Sequence, residues 1–325
     1  MNTKNSFGSG LAIMSLCAAL GLVTNNARAT TYSFVDDSQP NIQEFQQFIG
    51  GSTLGVHTAS ASTTALFTTD QAASPGEVSD IPSGSTGTGI FAPLLRLQNN
   101  PTEAGYNTNN SSPAPFDDKT PIGEGDHTHD LPLGIVPITT PVAGSSAAVQ
   151  SLGAQYQFFL DGWEEDAHIS LDSLQIFVTT TPNQNTESFT NARLNLANAE
   201  LVYSLDTLNT NGTIAVDNTL LLETDSGNGH PELGVFISKS LFDAAVLALT
   251  GGTSYDGIYV VLYSHFGDYG AGLPKSNPNS VYDSGSSFEE WDTRGYVPEV
   301  SSILPLGMVL FAAVSTRFRR RLKVD

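Results

Sequence analysis

The sequence is poor in cysteine, in charged residues and above all in positive charge. It has one cysteine among 325 residues, and charged residues make up 14% of the chain, against roughly 25% in an average globular protein. Lys and Arg number 13 against 33 Asp and Glu, which gives a formal net charge of −20. Binding to nucleic acid requires clustered cations that displace the counterions of the phosphates. The charge balance therefore excludes nucleic acid as a partner.

The few cations are concentrated near the two ends of the chain. Residues 30–298 contain 31 acids. The same stretch has six cations, which are Arg96, Lys119, Arg193, Lys239, Lys275 and Arg294. The body of the chain is thus acidic throughout. The hydrophobic fraction of the full sequence, 39%, is enough for a packed core, and the scarcity of charge is typical of an exported, β-rich protein.

Residues 1–29 are predicted to be a signal peptide. Lys4 precedes a short apolar run at 11–23, and the small residues Ala27 and Ala29 follow as a cleavage site for signal peptidase. The alternative is an uncleaved anchor helix, but about 13 apolar residues are fewer than the roughly 20 that span a bilayer. Cleavage would remove the only cysteine, so the mature chain would form neither a disulfide nor a thiolate metal site.

The C-terminus has three parts in a fixed order. Val297, Pro298 and Glu299 come first, and an apolar stretch predicts a membrane helix at about 301–316. An arginine-rich end follows, which contains Arg317, Arg319, Arg320 and Arg321. Because cationic residues stay on the cytoplasmic side of a membrane segment, this order predicts that everything before Val297 lies on the outer face.

This end of the chain, residues 297–325, resembles the PEP-CTERM sorting tag of Gram-negative bacteria. Pro298 and Glu299 match the first two positions of the Pro-Glu-Pro motif, and Val300 stands where the second proline is usual. The resemblance implies processing by an exosortase-like membrane protease, followed by display at the cell surface or release, often in organisms that make exopolysaccharide. A plain C-terminal tail anchor is the alternative.

The body, residues 30–296, is predicted to be an all-β ectodomain of β-sandwich or jelly-roll-like architecture with one short helix. Strand-like runs, rich in β-branched and aromatic residues and separated by turn residues, lie at 155–160, 174–179, 199–205, 219–223, 233–237 and 257–264. The helix is predicted at 240–249, with Ser240 as its N-cap and a glycine pair at its end.

The first half of the body has a weaker pattern. A strand is predicted at 31–35, a short helix at 42–49 and a buried element at 89–97. The segments 57–88 and 99–132 are rich in Ser, Thr, Gly, Asn and Pro, which favours loops or low-complexity chain.

Two short motifs suggest metal ligands. His127 and His129 would point to the same side of an extended strand, where two imidazoles suit a zinc-type ion. Asp225 and Asn228 lie in a glycine-turned loop whose oxygens suit calcium. An ordinary hairpin turn is the alternative for the second motif, and surface histidines are the alternative for the first.

Trp163 and Trp291 each stand beside paired acids, which predicts stacking on a sugar or burial in a core. Adjacent acids on a strand point to opposite faces, so neither pair is a catalytic dyad. The candidate nucleophile motifs around Ser9 and Ser85 do not lie on a strand-to-helix elbow, and no phosphate-binding glycine loop occurs. The sequence therefore predicts a non-enzymatic, exported surface or matrix protein, with extracellular polysaccharide among its partners. The alternative is a secreted domain that binds or cleaves carbohydrate.

The signal-peptide prediction fixes the start of the mature chain. We expect the exported protein to begin at Thr30, because signal peptidase cuts after the second small residue of the Ala27-x-Ala29 site. Intact mass and N-terminal sequencing of the exported product check this. A membrane-bound product that retains residues 1–29 would establish the anchor helix instead.

Overall fold

A computed structural model of the chain describes residues 28–33, 65–69, 93–140, 147–162, 168–209, 211–224, 233–268, 282–285 and 287–293. The helix expected at 42–49 and the sorting tag at 297–325 lie outside the described residues, as does the signal peptide up to residue 27.

The described chain is mostly β-strand, with two α-helices. In chain order the strands are β1 (Arg28–Ser33), β2 (Ala65–Thr69), β3 (Leu95–Leu97), β4 (Glu103–Tyr106), β5 (Leu131–Pro132), β6 (Ile138–Thr139), β7 (Gln155–Gly162), β8 (His168–Thr179), β9 (Phe189–Thr190), β10 (Arg193–Leu194), β11 (Ala199–Ser204), β12 (Thr207–Leu208), β13 (Ile214–Glu223), β14 (Leu233–Ser238), β15 (Tyr259–Phe266) and β16 (Glu289–Asp292). The helices are α1 (Ala147–Leu152) and α2 (Lys239–Thr250), and a 3-10 turn covers Leu133–Ile135.

These strands form two large sheets and one small hairpin. The larger sheet has the order β1-β13-β8-β15-β4, with β11 beside β8, β12 beside β13 and β5 beside β15. The smaller sheet has the order β2-β14-β7-β16-β3, with β6 beside β7. β9 and β10 pair only with each other in the described chain. The pairing of β1 with β13 is parallel, and β8, β15, β7 and β14 pair antiparallel with their neighbours.

The two sheets share one hydrophobic core, which makes the fold sandwich-like. Ile176 of β8 and Leu262 of β15 lie in the same buried cluster as Phe158 of β7 and Val235 of β14. Because successive side chains of a strand point to opposite faces, the neighbours on β8 and β15 point away from this core. Those neighbours, with Phe177 among them, form a second buried cluster. The larger sheet is therefore buried on both faces, as its continuous apolar strands require.

Helix α2 confirms the predicted helix, with slightly wider bounds. Ser238, rather than Ser240, occupies the N-cap position, and its side chain makes no capping hydrogen bond. At the other end Gly251 adopts a left-handed conformation with φ +71° and its N–H bonds to the Leu247 carbonyl, which is the usual role of glycine at this position. One apolar face of the helix, which includes Phe242 and Val246, packs into the shared core.

The six strands predicted in the second half are all present, and most extend beyond the predicted bounds. The short helix α1 was not predicted, because six residues are too few to show a helical period. Both described helices are too short to cross a bilayer, and the membrane helix expected at about 301–316 lies outside the described part of the chain.

The interpretation of 57–88 and 99–132 as loop is incomplete. The first segment contains β2, and the second contains β4 and β5. The amide of Asn107, a fully buried side chain, bonds to β15 between these two strands: its Nδ2 donates to the Val260 carbonyl at 2.9 Å and its Oδ1 accepts from Leu262 N–H at 2.6 Å. A polar segment can thus be ordered by side-chain hydrogen bonds rather than by apolar burial.

Two adjacent carboxylates, those of Asp117 and Asp118, accept hydrogen bonds from the backbone of β4. Asp117 Oδ2 accepts from Ala104 N–H at 3.0 Å, and Asp118 Oδ1 accepts from Tyr106 N–H at 3.2 Å. Burial raises the pKa of the Asp118 carboxyl well above its usual value. Asp118 also forms a bridge with Leu97 at the edge of the smaller sheet. These contacts connect the two sheets along one side of the sandwich.

The close approach of Asp118 to β4 predicts that glycine is favoured at position 105. A Cβ atom there would overlap Asp118 Oδ1 and Leu97 Cδ2, so we expect Gly105→Ala to lower the free energy of unfolding by about 1–3 kcal/mol. Gly134→Ala is the matched control, because no atom lies within 4 Å of its added Cβ. Urea denaturation measures both variants, and equal stabilities would contradict the packing seen at β4.

Candidate functional site

The β9–β10 hairpin lies on the outer face of the larger sheet and is fixed there by Gln175 of β8. The Gln175 side chain is 1% exposed. Its Nε2 donates to the Ala192 carbonyl at 2.6 Å, and its Oε1 accepts from Leu194 N–H at 3.0 Å. Because both ends of a buried amide are satisfied by hairpin backbone, the hairpin has a defined position on the sheet.

A second turn, just before β13, meets the hairpin from the side. Ala192 N–H donates to the Gly212 carbonyl at 3.2 Å, and Asn191 Nδ2 donates to the Asn211 carbonyl. Asn191 has φ +58° and Gly212 has φ +80°, a backbone region that asparagine and glycine tolerate better than other residues. Two turns that are about 20 residues apart in the sequence are thereby joined.

The two turns border a pocket that is open to solvent, which we call the Arg193 pocket. Its volume is about 370 Å³, which lies within the range of roughly 300–1,000 Å³ typical of small-molecule sites. Its lining includes Thr190, Arg193, Asn195, Leu196, Asn211 and Gly212.

Arg193 is the charged group of this pocket and has no ionic partner among the described residues. Its Nη2 donates to the Ala199 carbonyl at 3.2 Å, and its guanidinium carbon lies 5.6 Å from the centre of the Phe177 ring, within the range of a cation–π contact. The ion pairs between described residues involve other cations, Arg96 with Glu290 and Lys239 with Asp243.

Partial burial affects the electrostatics of Arg193. Burial lowers the pKa of the guanidinium, and the carboxylate of Glu200 partly opposes that shift. An arginine remains protonated at physiological pH all the same. The pocket therefore contains a half-buried positive charge whose hydration is reduced and whose donors are incompletely used.

The rest of the lining is neutral. Thr190 contributes a hydroxyl group, and Asn195 and Asn211 contribute amides, beside the apolar side chains of Leu194 and Leu196. The pocket thus offers hydrogen-bond donors and acceptors, an apolar wall and one cation. Among the described residues that line the pocket, the one charged group is the Arg193 guanidinium, which suits an anion.

Trp291 corrects one of the sugar-binding predictions. The side chain is fully buried in the shared core, and its Nε1 donates to Ser264 Oγ at 3.1 Å. A ring without exposed surface cannot stack on a sugar from solvent, so Trp291 has the structural role that was the alternative. Trp163 lies outside the described residues.

The two predicted histidines lie on a turn and are half-buried. Thr128 between them is fully buried and forms an isolated bridge with Ile122. His129 Nδ1 contacts the Asp130 carbonyl at 2.9 Å. In the part of the chain that the structure describes, no group of three or more His, Cys, Asp or Glu side chains is placed to hold a metal ion.

The other predicted site residues have these positions. Ala29 lies in β1, and Ala27 precedes the described strand. Asp225 and Asn228, the predicted calcium ligands, lie outside the described residues, and so do Val297, Pro298, Glu299 and the four C-terminal arginines. These predictions remain predictions.

Four acids form an acidic cluster beside the sheet that the sequence analysis did not identify: Asp172, Asp206, Asp217 and Asp268. Asp172 Oδ2 accepts from Ser170 Oγ at 2.8 Å and from Asp268 N–H at 2.6 Å. Burial, assisted by repulsion from Asp268 and Asp217, raises the pKa of Asp172 to about 6. Burial and repulsion from Asp217 and Asp172 raise the pKa of Asp206 to about 7.

The acidic cluster and the Arg193 pocket were both missed for the same reason. Asp172 lies within β8 and Asp217 within β13, whereas Asp206 follows β11 and Asp268 follows β15. The pocket joins two turns that are about 20 residues apart, so neither feature is a local motif. The sequence did offer one signal, because Arg193 is an isolated cation among Asn, Thr and Ala residues in an acidic chain.

The raised pKa of Asp206 predicts a specific dependence of stability on pH. The folded pKa of about 7 exceeds the unfolded value of about 3.9, so the folded state binds the proton more tightly. Stability from this group is full below about pH 4 and is lost as the pH rises to about 7. We therefore expect Asp206→Asn, which preserves the acceptor for Asn218 N–H, to stabilise the protein at pH 8 by roughly 2–4 kcal/mol.

The same variant should match the parent protein at pH 4. Urea denaturation at both pH values measures the difference, and Asp256→Asn, the same change at an exposed acid, is the control that should show no such gain. A loss of stability at pH 8 on replacing Asp206 would contradict this assignment.

Comparison with known proteins adds no assignment to this geometry. The chain matches no protein-family model, no curated protein and no solved structure.

Proposed function

We propose that this chain is an exported, non-enzymatic surface or extracellular-matrix protein that is sorted through its C-terminus. The observation that supports the proposal is the three-part order at residues 297–325: Pro298-Glu299, an apolar stretch, then arginines. Its partners would be signal peptidase, an exosortase-like membrane protease and the membrane that receives the C-terminal helix.

The fold is compatible with removal of the N-terminal segment. β1 pairs with β13 from Arg28 to Ser33, and cleavage after Ala29 would leave the pairs from Thr30↔Asn218 to Ser33↔Leu221. The shared core contains no cysteine, so its packing needs no disulfide. We interpret the sandwich as a jelly-roll-like ectodomain whose stability comes from apolar burial.

The second candidate function is carbohydrate binding, and one observation favours it. The Arg193 pocket combines a cation, amides and a hydroxyl with an apolar wall, which is the mixture that orients a small polar ligand. The site differs from the one predicted at Trp163 and Trp291, since Trp291 is buried.

The sorting proposal is tested by changing the motif in both directions in the producing cell. We expect the double variant Pro298→Ala, Glu299→Ala to retain its C-terminal helix in the membrane fraction, because a protease that reads the motif no longer cuts. Val300→Pro, which completes the Pro-Glu-Pro motif, should be processed at least as fully as the parent. Intact mass and cell fractionation measure both outcomes.

An unchanged C-terminus and location in the double variant would reject a motif-specific protease. A full-length product that stays in the membrane in all three proteins would establish the plain tail anchor. Neither result depends on the Arg193 pocket.

A further inference from the structure

We propose that the Arg193 pocket binds an anionic sugar, that is, a carboxylated or sulfated residue of an extracellular polysaccharide, with its charged group on Arg193. The inference deepens the second candidate function and rests on it. It names the class of ligand, the residue that selects the class and the side chains that recognise the rest of the ring.

The first argument is that Arg193 forms no ion pair with a described residue, although the Glu200 carboxylate acts on it at longer range. Residues 30–298 contain 31 acids, yet no carboxylate of the described chain forms an ion pair with Arg193. A half-buried guanidinium is stabilised by a planar anion that accepts two of its N–H groups. One Nη2 bond, to the Ala199 carbonyl, is made, and the other donors remain for a ligand.

The second argument is that Arg193 is held in place. Its guanidinium lies against the face of Phe177, a fully buried ring of the larger sheet. The hairpin that contains Arg193 is fastened to the same sheet by Gln175, through Ala192 and Leu194. Because the hairpin and the ring are fixed before binding, little conformational entropy is lost when an anion is bound.

The third argument is the character of the remaining lining. Asn195 is exposed at the rim and its side-chain amide makes no hydrogen bond to a described residue. Asn211 uses its Oδ1 for Thr213, so its Nδ2 is the group that can donate. Amides and the Thr190 hydroxyl suit the hydroxyl groups of a sugar, and Leu196 offers an apolar surface to the C–H face of the ring.

The fourth argument is the acidic character of the rest of the body. A long anionic polymer is repelled by a chain of net charge −20. Attraction must therefore be local, at the pocket, and it should be visible with a short ligand. This reasoning favours an isolated charged residue in an otherwise neutral polysaccharide over a polymer that is charged at every residue.

The experiment measures binding of short sugars to the full-length chain in mild detergent by titration calorimetry. The ligands are glucuronic acid and galacturonic acid, glucose 6-sulfate, the neutral parents glucose and galactose, and the free anions acetate and sulfate. We expect the acidic or the sulfated sugars to bind at least about tenfold more tightly than the neutral ones, since a charge-assisted hydrogen bond is roughly twice as strong as a neutral one. Comparison of the affinities for the carboxylated and the sulfated sugars then shows which anionic group the pocket prefers.

Variants assign the binding to the pocket. We expect Arg193→Gln to lose about tenfold or more in affinity for the preferred sugar, and Lys119→Gln, the same charge change outside the pocket, to leave it unchanged. Asn195→Asp is the second variant, because it adds a negative charge at the exposed rim without touching Arg193; it should also weaken binding. Asn195 is exposed, so Asn195→Asp keeps the test decisive if Arg193→Gln fails to fold.

The outcomes separate the two levels of the proposal. Equal binding of neutral and acidic sugars, both lost in Arg193→Gln, would overturn the anionic class and keep carbohydrate binding. Binding of acetate and sulfate as tight as that of the sugars would overturn recognition of the ring. No binding of any sugar, or an equal loss in Lys119→Gln, would overturn the pocket assignment while leaving the sorting proposal intact.

Discussion

The structure depends on the pairing of β8 with β15 at the centre of the larger sheet. Eight residues of β15 find partners on β8, from Tyr259↔Thr179 to Phe266↔Leu171. Their alternating side chains form the shared core on one face and the second cluster on the other. A central pair buried on both sides places the largest apolar area out of water. The smaller sheet, α2 and the loops of the outer face are all arranged around it.

The outer face of that pair is closed by polar side chains that bond to backbone. The Gln175 side chain forms hydrogen bonds with the backbone of the β9–β10 hairpin. The Gln184 side chain does the same with the backbone of Ala197, in the turn between β10 and β11. Asn107 fills the gap in hydrogen bonding along β15. Each buried amide satisfies groups that would otherwise be left unpaired under a loop. Such contacts order chain segments of low apolar content, and they also position the turns that form the Arg193 pocket.

The distribution of charge follows from the same arrangement. The fold brings together Asp172, Asp206 and Asp217, which come from separate parts of the sequence. Burial and repulsion between neighbouring acids raise the pKa values of their carboxyl groups. On the same outer face, Arg193 lies without an ionic partner among the described residues, although acids are abundant in the chain. Negative charges thus repel one another in the acidic cluster, whereas the positive charge of Arg193 has no ionic partner among the described residues.

The sequence by itself determined the β-rich class, six longer strands of the second half and helix α2, because alternating apolar residues, turn residues and Gly251 act over short distances. The short strands β9, β10, β12 and β16 were not predicted. The sequence also supplied the motifs at both ends of the chain. Tertiary structure alone decided the burial of Trp291, the ordering of 99–132, the acidic cluster and the Arg193 pocket. In each of these cases the partners are far apart in the sequence. The role of Gly105 follows from its packing against Asp118, and that of Arg193 from the pocket that it lines with Gly212. No local sequence pattern predicts either contact.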